Sequence, residues 1–439
     1  MKKSLIRLSV ACLAFSLTAQ AQEAPESSLV ETLIHGPFVG HVSANEAVLW
    51  MRTSHGGNYE LQLREAQPAD AKPLSVQAPA LEEQDFCVRW RAQGLKAKTR
   101  YSYSIYAEEA PNSKFEELLA GPYSFTTGPE DEALGPVRIA FGSCADEDQA
   151  TGEVWEQIAL AQSDAIVLMG DTPYIDSTDL KRQRQRYQEF AAHPPMAKVL
   201  HSTPWYGTWD DHDFGQDGAT GKLKGKQGAR QVFMEYHANP LYGEEDEGVY
   251  MSFRRGPVET YVLDTRWFAN TSPSIFDASQ PTLLGASQWA WLEAGLRNSN
   301  APVKVIVSGM IYNDAVRPKK PDHWGAYPAE RRALFELIGR HQIRGVVLVS
   351  GDIHRSRVIR HATEATAGYD ILELISSPMH HRIITSANAP HPGLIWDMGL
   401  KNSFLQLTVN RTESATRTTA RFIDRSGTVA FEIEIPTKD

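Results

Sequence analysis

The chain has 439 residues, enough for two or three domains, and its 44 Lys and Arg against 54 Asp and Glu leave a formal charge of −10. That balance excludes the broad basic surface of a nucleic-acid or anionic-membrane binder, although a local cationic pocket for an anion stays compatible with it. With 42% apolar and 22% charged residues, the composition is globular and neither disordered nor fibrous.

The chain opens "MKKSLIRLSVACLAFSLTAQAQEAP". A Lys-rich start, an apolar run shorter than the ~20 residues of a spanning helix, and Ala19-Gln20-Ala21 have the pattern of a secretory leader, residues 1–21, cleaved after Ala21. No arginine pair precedes the run and no leucine precedes Cys12 at lipoprotein spacing, so export before folding is expected. The expected destination is the periplasm or the medium, with no membrane span after cleavage. Cys87 and Cys144 then remain, and an oxidising compartment makes them either a disulfide or two buried thiols.

Residues 34–128 contain short alternating runs, "EAVLWMR", "YELQLRE", "DFCVRWRA" and "RYSYSIYA", separated by Gly, Pro, Asn and Lys clusters. This spacing predicts a small β-sandwich. "RAQGLKAKTRYSYSIYA" is similar to the leucine, turn and tyrosine corner of fibronectin type III modules, and "TTGPEDEALGP" reads as a linker.

Residues 136–439 change to an α/β pattern. "VRIAF", "AIVLM", "ETYVL", "VKVIVSG" and "GVVLVS" read as strands, and "EVWEQIALAQ", "ASQWAWLEAGLRN" and "PAERRALFELIGRH" as helices. Trp289, Trp291 and Leu292 are expected in the core. "KRQRQR" at 181–186 is expected to be a solvated helix face. The tail from Ser403 alternates again and is expected to add antiparallel strands.

Polar residues follow each of these five strands: Cys144; Asp171 and Tyr174; Asp264 and Arg266; Asn313 and Asp314; Asp352 and His354. Ligands of open α/β sheets bind beyond the carboxyl ends of strands. Cysteine, tyrosine, aspartate and histidine together are metal donors, and no G-x-S-x-G elbow offers a hydrolase nucleophile instead. Thiolate and tyrosinate suit a strongly acidic ion such as Fe3+, and carboxylates suit Ca2+, Mg2+ or Mn2+. "TWDDHDFG" at 208–215 crowds three aspartates beside aromatic residues, and carboxylates so placed require a compensating cation or strong donors.

"GSC", "GDTPYID", "TWDDHDFG", "VLDTR", "QWAWLE", "HWGAYPAERRALF" and "SGDIH", in this order, resemble the PhoD-like (alkaline phosphatase D) branch of the metallophosphoesterases. The resemblance implies a metallophosphoesterase-type α/β fold, a mixed β-sheet sandwich flanked by helices, behind the smaller sandwich. It implies a dinuclear or multinuclear site, Fe3+ with Ca2+, with Mg2+, Mn2+ or Zn2+ as alternatives. Asp171 would bridge two metals, Cys144, Tyr174 and His354 would hold the iron-like ion, and Asp352 and Asp211 the second. His212 would stand beside the scissile group. Asp217 occupies a place where the resemblance implies asparagine; its carboxylate can bind Ca2+ but repels a phosphate oxygen. Arg266 either pairs with Asp264 or presents its fork to phosphate. Asn313 is a secondary candidate, His323 and Trp324 either line the pocket or lie on a surface loop, and no role is assigned to His380 or His381 of "MHHR".

The reading is a secreted metal-dependent phosphoesterase acting on phosphomonoesters, phosphodiesters or both as small-molecule substrates, through a metal-bridging hydroxide. Two alternatives stand beside it: a non-phosphate metallohydrolase, or an extracellular binding protein with a degenerate hydrolase domain. Oligomeric state is not legible. A chain beginning near Pro136 is expected to fold and keep its chemistry, because residues 22–127 carry none of the named ligands.

Overall fold

Alternation of apolar and polar residues puts the N-terminal segment into strands. These are β1 (Leu33–Val42), β2 (Glu46–Thr53), β3 (Gly57–Glu65), β4 (Leu74–Ala80), β5 (Cys87–Gln93), β6 (Arg100–Glu108) and β7 (Phe115–Thr126). A sheet of order β1-β2-β5 and one of order β4-β3-β6-β7 share a core containing Leu49, Leu61, Trp90 and Tyr103. The Tyr101 hydroxyl accepts the Lys96 N–H at 3.0 Å, which is the tyrosine-corner bond expected from the sequence.

The α/β body adds β8 (Gly135–Gly142), β9 (Ala165–Met169), β10 (Trp205–Thr208), β11 (Met251–Arg255), β12 (Val258–Val262), β13 (Val303–Ser308) and β14 (Val346–Ser350). It continues with β15 (Ser356–His361), β16 (Ile371–Ile375), β17 (Leu394–Met398), β18 (Ser403–Arg411), β19 (Thr416–Asp424) and β20 (Val429–Ile435). One sheet has the order β10-β9-β8-β18-β19-β20 and the other β11-β12-β13-β14-β16-β15-β17. β8, β9 and β10 run parallel, as do β12, β13, β14 and β16. The tail strands extend the first sheet antiparallel from β8.

Near-continuous apolar strands follow from burial on both faces. Ile139, Phe141, Val167, Met169, Val305, Val307, Val347 and Val349 fill the layer between the sheets. Their alternates turn outward under helices: Ala140, Ile166 and Leu168 on one side, and Ile306 and Leu348 on the other, with Trp289 and Leu292 of helix Gly285–Asn298. "KRQRQR" lies on helix Leu180–Ala191, where Arg184 pairs with Glu235 and Arg186 with Glu147.

The computed structural model describes residues 33–67, 72–108, 114–315 and 320–436; the leader at 1–21 and Cys12 lie outside the described residues. No described helix is long and apolar enough to cross a membrane. From residue 33 onward the layers make one compact unit. Phe38, Val48 and Trp50 of the small sandwich join the same core as Trp155, Leu168 and Trp209 of the body. Trp50 Nε1 donates to the Glu235 carbonyl at 2.8 Å, and His41 N–H donates to the Ala238 carbonyl at 2.8 Å.

Candidate metal centre

Parallel strands of both sheets end at one edge, and the residues just past β8, β9, β10 and β14 meet there. Cys144, Asp171, Asp176, Asp352 and His354 all adopt positive φ, between 49° and 65°. Such backbone is unfavourable for L-residues and concentrates where surrounding structure holds a site in place. Gly170 has φ of 96°, and a Cβ there would lie 2.4 Å from Asp210 Cβ, so only glycine lets the β9 and β10 loops touch.

Ligand atoms of Cys144, Asp171 and His354 lie within 4.8 Å of one another, as do those of Asp171, Asp211 and His212, and those of Asp171, Asp210, Asp211 and Asp352. Asp171 is common to all three groups. Tyr174 closes the first group, its hydroxyl 2.9 Å from His354 Nε2. Cys144 Sγ stands 3.4 Å from Asp171 Oδ2 and receives a hydrogen bond from Ser377 Oγ at 3.2 Å.

The carboxylates of "DDHD" divide their tasks. Asp213 folds back as the N3 acid of a capping box on helix Asp211–Phe214, accepting the Asp210 N–H. Asp210 is gripped by Arg266, and Asp211 enters the metal-type groups. Burial, then Asp211, Asp210, Asp213 and Asp352, push the Asp171 carboxyl well above its ordinary range. Burial raises Asp352 to about 7, with Lys320 opposing and Asp322 adding. Asp211 goes the other way: burial raises it, but Arg266, His212 and the Gly218 N–H outweigh that and hold it low. Asp210 Oδ2 and Asp352 Oδ2 are buried without a hydrogen-bond partner. Orphaned carboxylate oxygens among mutually repelling acids, beside a thiol, an imidazole and a phenol, fit a centre for hard and intermediate cations.

His212 is held by an unforeseen partner. Its Nδ1 lies 2.5 Å from Asp176 Oδ1 and its ring packs 4.8 Å from that of Tyr174, so Nε2 is the nitrogen left to act. Asp176 sits five residues past Asp171 within the quoted "GDTPYID", but only the left-handed turn at Asp176 aims it at His212.

Two expectations are corrected. The Arg266 guanidinium is wholly buried, donating to Asp210 at 2.6 Å and to both oxygens of Asp322 at 2.8 and 3.2 Å. Asp264 takes only its backbone N–H. Arg266 therefore neither pairs with Asp264 through its fork nor faces a phosphate, because every face of the fork is occupied from inside. Asp217 stands outside the ligand groups, 74% exposed and 3.5 Å from Lys320 Nζ. Helix Asp211–Phe214 ends before it, and the turn that follows uses the Gly218 N–H to bond Asp211 Oδ2, which leaves the Asp217 side chain outward.

Lys320, not foreseen, also approaches Asp322 at 3.5 Å and Asp352 at 3.7 Å. It lines, with Asp217, Thr220, Asn270, Asp322 and Tyr327, a cavity of about 650 Å³. Asn313 is buried and committed to Glu373. Trp324 is fully buried and bonded to Ser308, in the core and not on a loop. Cys87 and Cys144 are both free thiols. His380, which sequence reasoning left unassigned, is fully buried with Nε2 3.0 Å from the Tyr174 hydroxyl.

A family model described as PhoD-like phosphatase matches residues 139–433. Alkaline phosphatase D of Bacillus subtilis (strain 168) is 23% identical over 420 residues, covering 79% of this chain and 70% of that protein. The solved structure of PhoD superposes with a TM-score of 0.74 at 17% identity, covering 95% of this chain and 94% of that one. A purple acid phosphatase from yellow lupin (Lupinus luteus) seeds superposes with a TM-score of 0.71 at 11% identity, covering 91% of this chain and 74% of that one. The two structures share the fold.

Proposed function

Since the chain belongs to the PhoD-like phosphatase family, we propose that it is a metal-dependent hydrolase of small phosphomonoesters or phosphodiesters, exported through the leader at 1–21. The observation that carries this reading is the sharing of Asp171 among three groups of ligand atoms, each within 4.8 Å. One carboxylate with donors on both sides is what a two-metal site requires.

In this reading Cys144, Tyr174 and His354 would hold one cation and Asp211 and Asp352 a second, with Asp171 available to both. Fe3+ suits the first set and Ca2+ the second by donor type. Bound cations would supply Lewis acidity, activating water and neutralising charge on the phosphoryl oxygens. Asp210 stays with Arg266 and keeps its loop against Asp171. His212, its Nδ1–H donated to Asp176, delivers a proton from Nε2 to the leaving oxygen. The cavity beside Lys320 accommodates the leaving alcohol, and the ammonium is positioned to meet an anionic oxygen.

The test is Asp171→Asn with bis-p-nitrophenyl phosphate and p-nitrophenyl phosphate, with metal content measured alongside. Loss of activity on both esters and of bound metal from a folded protein is expected. Wild-type activity in the variant, or native protein that hydrolyses carboxylic esters and neither phosphate ester, overturns the reading.

A further inference from the structure

The segment Met379-His380-His381-Arg382 follows β16 and folds back onto the loop after β8. Met379 N–H donates to the Ser143 carbonyl at 3.0 Å and His380 N–H to the Cys144 carbonyl at 3.1 Å. This brings two imidazoles to one oxygen. His354 Nε2 and His380 Nε2 lie 2.9 and 3.0 Å from the Tyr174 hydroxyl. The Arg382 guanidinium lies 5.0 Å from the centroid of the same phenol ring.

The hydrogen-bond pattern distinguishes the two histidines. A neutral imidazole carries one N–H and one lone pair, on opposite nitrogens. His380 Nδ1 accepts the backbone N–H of Arg382 at 3.1 Å, and a backbone amide nitrogen can only donate. The lone pair of His380 is therefore on Nδ1 and its hydrogen on Nε2, so Nε2–H donates to the Tyr174 oxygen and has no lone pair to offer a cation. His354, in contrast, belongs to the group with Cys144 and Asp171.

We propose that His380 is a positioning residue that donates a hydrogen bond to the Tyr174 oxygen from outside the ligand set, while His354 is the ligand. With its backbone tied to Cys144, His380 fixes the distance between two donors that no local sequence links. Arg382 over the ring adds a cation–π contact that favours an electron-rich phenol oxygen. Partners of this outer kind typically govern metal affinity by about tenfold to a hundredfold. The proposal rests on the reading that Tyr174 contacts a cation, and the experiments separate the two.

Histidine-selective 15N labelling of the full chain, without added metal, reads the tautomer directly. His380 with hydrogen on Nε2 is expected, and hydrogen on Nδ1 overturns the proposal. The full chain loaded with Fe3+ is then compared by visible absorption and metal titration with Tyr174→Phe, His354→Ala, His380→Leu and His380→Gln. His380→Leu should keep the metal stoichiometry, weaken Fe3+ about tenfold to a hundredfold and move the tyrosinate band to longer wavelength. His380→Gln, which retains an N–H donor, should restore most of both and keeps the test valid if the Leu variant folds poorly. A visible band that survives both Tyr174→Phe and Cys144→Ser, which removes any thiolate band, overturns the underlying assignment of Tyr174. A band lost in Tyr174→Phe but unmoved by His380→Leu overturns this inference alone, as does loss of an entire metal equivalent in His380→Leu matching His354→Ala.

Discussion

Arg266 and Asp210 form an ion pair fully shielded from water, Nε to Oδ1 at 2.6 Å, and the same guanidinium reaches Asp322 with both terminal nitrogens. The pair joins the loop after β10 to the loop after β12 directly behind Asp211, whose Oδ1 is 3.9 Å from Arg266. Burial alone lowers the Arg266 pKa, but Asp210, Asp322 and Asp211 outweigh it and raise it well above the ordinary value.

Removing one partner of such a pair leaves an uncompensated buried charge, which costs about 3–5 kcal/mol. Arg266→Met is therefore expected to lower the urea midpoint strongly and to reduce metal binding through displaced Asp210 and Asp211. Arg266→Lys should recover little, since an ammonium cannot span both carboxylates. A variant of unchanged stability with only a raised KM would restore the phosphate-facing role.

Asp176 and His212 should behave as a unit. Positioned general acids contribute about 10²–10⁴-fold, so His212→Asn should lower kcat on alkyl phosphates by that order and less on p-nitrophenyl esters, whose leaving group needs no proton. Asp176→Asn should show the same leaving-group dependence at smaller size. Equal losses on good and poor leaving groups would remove His212 from the proton-transfer role.

The contribution of the acidic cluster to stability without metal should fall as pH rises. Burial raises Asp352 and Asp213 to about 7 in the folded chain, while an unfolded aspartate titrates near about 3.9. On these two carboxyls the unfolded chain binds fewer protons than the folded one between about pH 4 and 7, so their contribution to stability falls as pH rises, by about 1.4 kcal/mol per unit of raised pKa once the window is crossed. Burial lowers His35, His41, His237 and His380, which act in the opposite sense below about pH 6.5. Urea midpoints in chelator at pH 4.5, 6 and 7.5 should decline relative to those of Asp352→Asn, whose amide does not titrate, and added metal should flatten or reverse that difference. A difference from Asp352→Asn that stays constant with pH in chelator would show that the cluster is compensated by the protein itself.

The small sandwich should prove inseparable from the body. Trp50 is 1% exposed within the core shared with Trp209 and bonds across to Glu235. Truncating a buried aromatic costs about 3–5 kcal/mol, so Trp50→Ala should lower Tm sharply while the folded fraction keeps its kcat. A chain starting at Pro136 would expose the surface covered by Phe38 and Trp50, and should aggregate or unfold. A stable, active truncation would contradict this.

Local chemistry alone determined the strands and their strand-end donors. Near-continuous apolar runs, buried on both faces, made β8, β9, β13 and β14 recognisable, and loops leaving parallel strands at one edge carried Cys144, Asp171, Asp352 and His354 together wherever the sheets closed. Which way each remaining side chain turned was decided by partners distant in sequence. Arg266 is claimed by Asp210 and Asp322, each 56 residues away, and no local pattern distinguishes that inward grip from an outward fork. Asp217 follows Asp211 by six residues, yet the end of a short helix and the Gly218 bond to Asp211 turn it to solvent. His380 lies 206 residues from Tyr174 and reaches it only because β16 ends beside β8 across the two sheets. Side-chain direction at a turn depends on φ and on what packs behind it, and both are properties of the assembled layers.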